Sequence, residues 1–193
     1  SLLAALRTGK GTPSEQANCH FFLGNAYRSR GLLADAETAY LDALTHYQTI
    51  EGAHLEQASC LQNLATVYKA RGLLTEAEIA YQNALTRYQT LEGTGRDQAT
   101  CLMNLGNVHV SRMHLEEAES IFRDALTRYQ TIEGTEREQA TCLLNLGIVY
   151  KYRGLLADAE STYRGALTRY QTIEGTEREQ ATCLLNLGNA YKN

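Results

Sequence analysis

The sequence predicts an all-α solenoid of helix-turn-helix repeats, and three observations carry that prediction. First, a 23-residue stretch occurs twice without change: residues 125–147 and 166–188 both read ALTRYQTIEGTEREQATCLLNLG, an offset of 41. Close variants of it begin at Ala84 and Ala43. A constant period in this range is the signature of a repeat architecture. Second, apolar residues recur at helical spacing. Leu143, Leu146, Gly147 and Tyr150 make one i, i+3, i+4, i+7 face, and Leu156, Ala159, Tyr163, Ala166, Leu167, Tyr170 and Ile173 make a second stripe. Third, the composition suits helices, with a single proline, Pro13, and no tryptophan.

The elements follow in order. Ser1 to Arg7 align with Gly165 to Gln171, so residues 1–10 read as the tail of a preceding helix. Repeats then span 12–52, 53–93, 94–134 and 135–175, and 176–193 is the first helix of a further repeat, all in one array over 1–193. First helices are expected at about 13–29, 54–70, 95–111, 136–152 and 177–192. Second helices are expected at about 32–50, 73–91, 114–132 and 155–173. The first opens on Thr12-Pro13-Ser14-Glu15, a capping box with proline where its missing N–H costs nothing. Thr94 with Asp97, Thr135 with Glu138 and Thr176 with Glu179 have the same box form, whereas Ala53 lacks the hydroxyl and predicts a weaker start. Gly31, Gly72 and Gly154 supply a left-handed residue after each first helix, as Gly52, Gly93, Gly134 and Gly175 do after the second. Met113 stands in the third unit's place, predicting a tighter or strained turn.

Composition narrows the function classes. A net charge of −4 argues against a general nucleic-acid binder. Cys19, Cys60, Cys101, Cys142 and Cys183 are each 41 apart, so they share one structural position and read as small buried hydrophobes. Stacked repeats hold equivalent positions too far apart for disulfides, and an odd count of reduced thiols suits a cytoplasmic setting. No apolar run is long enough to span a bilayer, and the opening SLLAALR has neither the length nor the flanks of a signal peptide.

These units resemble the tetratricopeptide repeat family. Its pattern of a large apolar residue, Leu-Gly, an aromatic and then Ala-x-x-x-Phe reads here as Leu143-x-x-Leu146-Gly147-x-x-Tyr150 with Ala159 and Tyr163. Leu23-Gly24-Tyr27 with Ala36 and Tyr40, Leu64-Ala65-Tyr68 with Ala77 and Tyr81, and Leu105-Gly106-His109 with Ala118 and Phe122 follow it. The period of 41 is longer than the usual one of about 34, and the proline that usually ends the second helix is missing. The long form is similar to the repeats of kinesin light chain and of Pins-type adaptors. The resemblance implies a right-handed superhelix whose first helices line a concave groove that holds a protein segment.

Sites for catalysis, metal or cofactor are not evident, and none is expected. The five histidines fall at unrelated repeat positions, Cys19-His20 has no counterpart in the other units, and Thr8-Gly9-Lys10-Gly11-Thr12 lacks the P-loop pattern. What stands out is a ladder of amides. Asn63, Asn104, Asn145 and Asn186 precede the Leu-Gly anchors, with Phe22 in the first unit. Three residues on come Asn25, Asn107 and Asn189, interrupted by Thr66 and Ile148, and then Arg28, Lys69, Lys151 and Lys192. An asparagine amide both donates and accepts, so such a ladder can pair with an extended peptide backbone whatever its side chains. The alternative is that the asparagines are inherited by duplication or bond between repeats. Phe21, Phe22, Met103, Leu144, Leu185 and Tyr152 lie between them as an expected apolar row, which suits a peptide with apolar anchors and some acidic residues. None of Phe21, Gln62, Met103, Leu144 and Leu185 is basic, which argues against the chaperone-tail clamp of a different subclass.

The sequence therefore points to a non-enzymatic protein-protein interaction module, an adaptor or scaffold binding a linear peptide. The peptide-binding candidates are Phe21, Phe22, Asn25, Arg28, Asn63, Lys69, Met103, Asn104, Asn107, Leu144, Asn145, Lys151, Asn186 and Asn189. Two other classes stay open: a regulatory or sensor array of a larger multidomain protein, and a structural array that self-associates end to end. Units four and five are nearly identical, so register-specific recognition is expected mainly from units one to three.

Overall fold

The computed structural model describes residues 11–190, and among them every regular element is an α-helix. The chain divides after Thr94 into two compact units. The first holds α1 (Pro13–Ser29), α2 (Leu33–Gln48), α3 (His54–Ala70) and α4 (Leu74–Gln89). The second holds α5 (Gly95–Ser111), α6 (Leu115–Gln130), α7 (Glu136–Tyr152), α8 (Leu156–Gln171) and α9 (Glu177–Ala190). Within the first unit α1 pairs with α2 and α3 with α4, and α2 packs on α3. Within the second, α5 pairs with α6, α7 with α8 and α8 with α9, while α6 packs on α7. Helix hairpins in tandem are the predicted all-α repeat fold. The proposed tail at residues 1–10, and Lys192, lie outside the described residues.

The core follows from the apolar stripes. In the first unit Ala17, Ala36, Tyr40, Ala43, Tyr47, Leu64 and Val67 close together, and in the second Phe122, Leu146, Val149, Tyr163, Ala166 and Tyr170 do. α2, α6 and α8 each drive one ring against the glycine of the partner's Leu-Gly anchor. A methyl added at Gly24 would sit 2.7 Å from the Tyr40 ring, at Gly106 2.7 Å from Phe122 and at Gly147 2.5 Å from Tyr163. The five cysteines are buried and unbridged, and burial pushes the thiols of Cys60, Cys101 and Cys142 up to about 12. No described helix is long and apolar enough to cross a membrane.

The helix ends correct two expectations. Thr12 forms the capping box, its backbone N–H donating to Glu15 Oε2 at 2.8 Å and its Oγ1 accepting from the Glu15 N–H at 3.3 Å, whereas Thr135 makes no such bond. Thr94, Thr135 and Thr176 instead turn their hydroxyls backward, each donating at 2.6 Å to the carbonyl of Tyr88, Tyr129 or Tyr170. The last carbonyls of a helix lack intrahelical donors, and these threonines satisfy them. The acids of the expected boxes are drawn elsewhere, Glu138 to Arg96 and Glu179 to Arg137. Ala53 loses no N-cap by lacking a hydroxyl; the bond to the preceding helix end comes from Gln57, whose Nε2 donates to the Tyr47 carbonyl at 3.0 Å. Second helices stop at Gln48, Gln89, Gln130 and Gln171, two residues short of the expected ends. The next residue, a threonine in each repeat, donates its hydroxyl to the carbonyl three before it, as Thr49 does to His46 at 2.8 Å. Met113 takes φ 60° in a turn with the same bonds as its glycine counterparts, so this turn is strained and not tighter.

Candidate functional site

The amide ladder lies on a stripe of the first helices that also receives tyrosine tips. α1 and α3 each offer two positions, seven residues apart, to hydroxyls of the paired second helix, and α5 and α7 offer the earlier one. At the earlier one, Tyr47 donates to Asn18 Oδ1 at 2.7 Å, and Ser59, Thr100 and Thr141 bond Tyr88, Tyr129 and Tyr170 at 2.8–3.1 Å. At the later one, Tyr40 donates to Asn25 Oδ1 at 2.7 Å and Thr66 bonds Tyr81 at 2.9 Å. The residue between them is Phe22, Asn63, Asn104, Asn145 or Asn186.

In the first unit the expected groove amides are already engaged. Asn25 holds the Tyr40 phenol. Asn63 accepts from Arg28 Nη1 at 2.9 Å and donates to the carbonyl of Ser59 at 2.9 Å. Arg28 and Asn63 thus tie α1 to α3, and the inter-repeat role left open by the sequence is the one observed here. Lys69 is half-buried, and desolvation pulls its ammonium below the usual lysine range. Phe21 is half-buried, with its ring edge-on to Tyr40 at 5.9 Å, whereas Phe22 is 59% exposed.

The second unit differs. Asn104, Asn107, Asn145, Asn186 and Asn189 are all partly buried, and none of their side chains bonds another described residue. The reason is legible in the repeat. Val110 stands where Arg28 does, so nothing reaches Asn145 as Arg28 reaches Asn63. Phe122 has no hydroxyl to offer Asn107. Lys151 is partly buried on the same stripe, and α7 touches both α5 and α9, bringing the three amide positions to neighbouring helices. The apolar row needs correction. Leu144 is only 8% exposed and belongs to the core with Leu146, Tyr150 and Tyr163, and Met103 is packed against that core. Leu185 is 66% exposed.

Two residues that sequence reasoning passed over complete a cleft in the first unit. Leu55 and Glu56 join Phe21, Phe22, Tyr47 and Ser59 around a space of about 210 Å³. The signal was a departure from the repeat: Leu55 stands where Arg96, Arg137 and Arg178 do.

Tandem helix hairpins with aromatic rings seated on small residues define a helical-repeat protein with open amide positions on its first helices. Family models described as tetratricopeptide repeat match residues 15–90, 58–131 and 139–178. The chain belongs to the tetratricopeptide repeat family and is a protein-interaction module. No curated protein matches the sequence. Among solved structures, BtubC (BKLC) from P. vanneervenii is 24% identical with a TM-score of 0.83, over 100% of this chain and 79% of that one. The apo form of RapI is 19% identical with a TM-score of 0.83, over 91% of this chain and 63% of that one. A Rap protein complexed with Competence and Sporulation Factor is 19% identical with a TM-score of 0.78, over 98% of this chain. This chain spans about half of that protein, 52% of its length. At these identities the likeness is one of fold.

Proposed function

We propose that the chain binds a peptide segment of a partner protein along the first helices of its second unit. Asn104, Asn107, Asn145 and Asn186 pair with the peptide backbone, and Lys151 sits beside them. The observation that carries this is the contrast between units: equivalent amides bond within the protein in the first unit and bond nothing described in the second. These amides are not among the buried polar atoms left without a partner, so they keep access to solvent and can exchange water for a backbone donor-acceptor pair. A Rap protein of this fold was solved with a bound factor, which supports occupancy of such a module. Register-specific recognition was expected mainly from repeats one to three; on this reading Asn25 and Asn63 contribute less to it, since both bond within the protein.

A peptide-library screen tests this with Asn104→Ala/Asn145→Ala/Asn186→Ala beside Asn63→Ala. Three lost hydrogen bonds of about 1 kcal/mol each predict a loss of about a hundredfold. Selected peptides that bind the triple variant as well as the parent would remove the reading.

A further inference from the structure

The cleft of the first unit is built differently from every other repeat, and the differences converge in space. Phe22 replaces the ladder asparagine, and Leu55 replaces the arginine found as Arg96, Arg137 and Arg178. Both line the same cleft of about 210 Å³, and they are 59% and 46% exposed. Two independent departures from polar to large apolar, meeting at one opening, make an exposed apolar patch of the kind that marks an interaction site.

A third departure sets its charge. Glu138 is paired with Arg96 and Glu179 with Arg137, each arginine reaching forward from the preceding first helix. Glu56 occupies the equivalent position, but Ser14 stands where that arginine would be. Glu56 is exposed and has no hydrogen bond or ion pair with any described residue. It lines the apolar cleft and also an adjoining one of about 180 Å³ that includes Glu51. A cation is thus deleted beside the acid at the point where apolar surface is added.

We infer that this cleft is a side-chain recognition pocket for a peptide segment of a partner protein, one bearing a large apolar residue with a lysine or arginine close by. The apolar side chain fills the space between Phe22 and Leu55, and the cation meets Glu56 in the place an arginine takes in the later repeats. This preference is opposite in charge to the acidic ligand expected from the lysines of the ladder. It rests on residues of the first unit alone, so it stands or falls separately from the amides of the second.

The test uses the whole chain and synthetic nine-residue peptides of constant Gly-Ser background. Each carries one leucine or phenylalanine, with lysine, glutamine or glutamate two to four positions away, and binding is read by fluorescence anisotropy. The lysine peptides should bind most tightly. Leu55→Arg and Phe22→Asn, which restore the residue types of the other repeats, should each weaken them about tenfold or more. Glu56→Gln should weaken the lysine peptides about twofold to fivefold and leave the glutamine peptides unchanged. All three positions are exposed, and circular dichroism checks that the helices persist. Asn104→Ala/Asn145→Ala/Asn186→Ala should leave this binding untouched, which separates the pocket from the amide face. The inference is overturned if no peptide binds, if glutamate peptides bind as well as lysine ones, or if Leu55→Arg has no effect. It is equally overturned if nuclear Overhauser contacts place Leu2, Leu3 or Leu6 against Phe22, or if the protein dimerises and Leu55→Arg returns it to a monomer.

Discussion

Replacing Tyr163 by phenylalanine should stabilise the second unit, even though it removes a polar group from a side chain that is fully buried. The Tyr163 hydroxyl has no hydrogen-bond partner among the described residues, because Ile148 occupies the position where Asn25 and Thr66 receive Tyr40 and Tyr81. Leaving a buried hydroxyl unpaired costs about 1–3 kcal/mol. The ring itself stays seated on Gly147, so the change nearly conserves volume and adds little packing cost. The expected gain is about 1 kcal/mol or more. The repeat before it holds the converse defect, with Asn107 facing Phe122, so Phe122→Tyr should also gain about 0.5–1.5 kcal/mol by making the bond Tyr40 makes with Asn25. Tyr40→Phe, by contrast, should lose about the same amount. Repeats unfold as neighbouring units and not as one block, so amide hydrogen exchange, read helix by helix, is the suitable assay. Ile148→Thr supplies the missing partner, and its effect should be more favourable with Tyr163 present than in the Tyr163→Phe background, a coupling a double-mutant cycle reads directly. The reasoning is refuted if Tyr163→Phe lowers protection in α7 and α8 as much as Tyr40→Phe does in α1 and α2.

Gly147→Ala should destabilise by about 1–3 kcal/mol through the Tyr163 ring, and thermal melts of the variant check the sign. Met113→Gly relieves the left-handed φ of 60° and should stabilise by about 1 kcal/mol in denaturant unfolding. Stability should fall on the alkaline side. Cys60, Cys101 and Cys142 keep their protons up to about 12 when folded and release them near the ordinary 9.0 when unfolded. Above about pH 9 the unfolded chain therefore binds fewer protons, and stability present below that point is lost progressively toward 12. Burial holds the tyrosines Tyr47, Tyr129 and Tyr163 up to about 12 as well, which steepens the loss above pH 10.0. Melting temperatures that stay level between about pH 8 and 11, or a slope that Cys60→Ala/Cys101→Ala/Cys142→Ala does not reduce, would contradict this.

Much of the fold was legible because a repeat states its own alignment. The first helices begin where the period puts them, and α1, α3, α5 and α7 end there as well. The second helices stop two residues before their apolar pattern does, because Thr49 and its counterparts look helical in sequence yet spend their hydroxyls closing the helix end. The box motif misleads for a related reason: threonine followed three residues later by an acid does not reveal that a carbonyl behind it lacks a donor. The core position of Leu144 is hidden in the sequence because periodicity gives a face of a helix without saying which neighbour covers it. The engaged amides could have been found in the sequence. Asn25 with Tyr40 and Thr66 with Tyr81 pair polar with polar, while Ile148 with Tyr163 and Asn107 with Phe122 do not, and such mismatches identify the unmade bonds.

The interaction chemistry of the chain lies where the repeats disagree. α7 and α9 share residues 136–147 and 177–188 without a difference, so no discrimination between those two positions comes from that shared stretch. Their open amides suit a ligand feature that itself repeats, which is the peptide backbone. The first unit spends its amides on Tyr40 and on the Arg28–Asn63 tie, and it carries Ser14, Phe22 and Leu55 in place of the later residue types. Those three departures replace an arginine, an amide and a second arginine around one unpaired carboxylate. A peptide held only by amides could slide by one repeat at little cost, whereas a pocket present once fixes its register. Leu55→Arg should therefore weaken binding in the first unit and the triple asparagine variant binding in the second, and titrating the Gly-Ser peptides and a selected library peptide separately against both variants checks this.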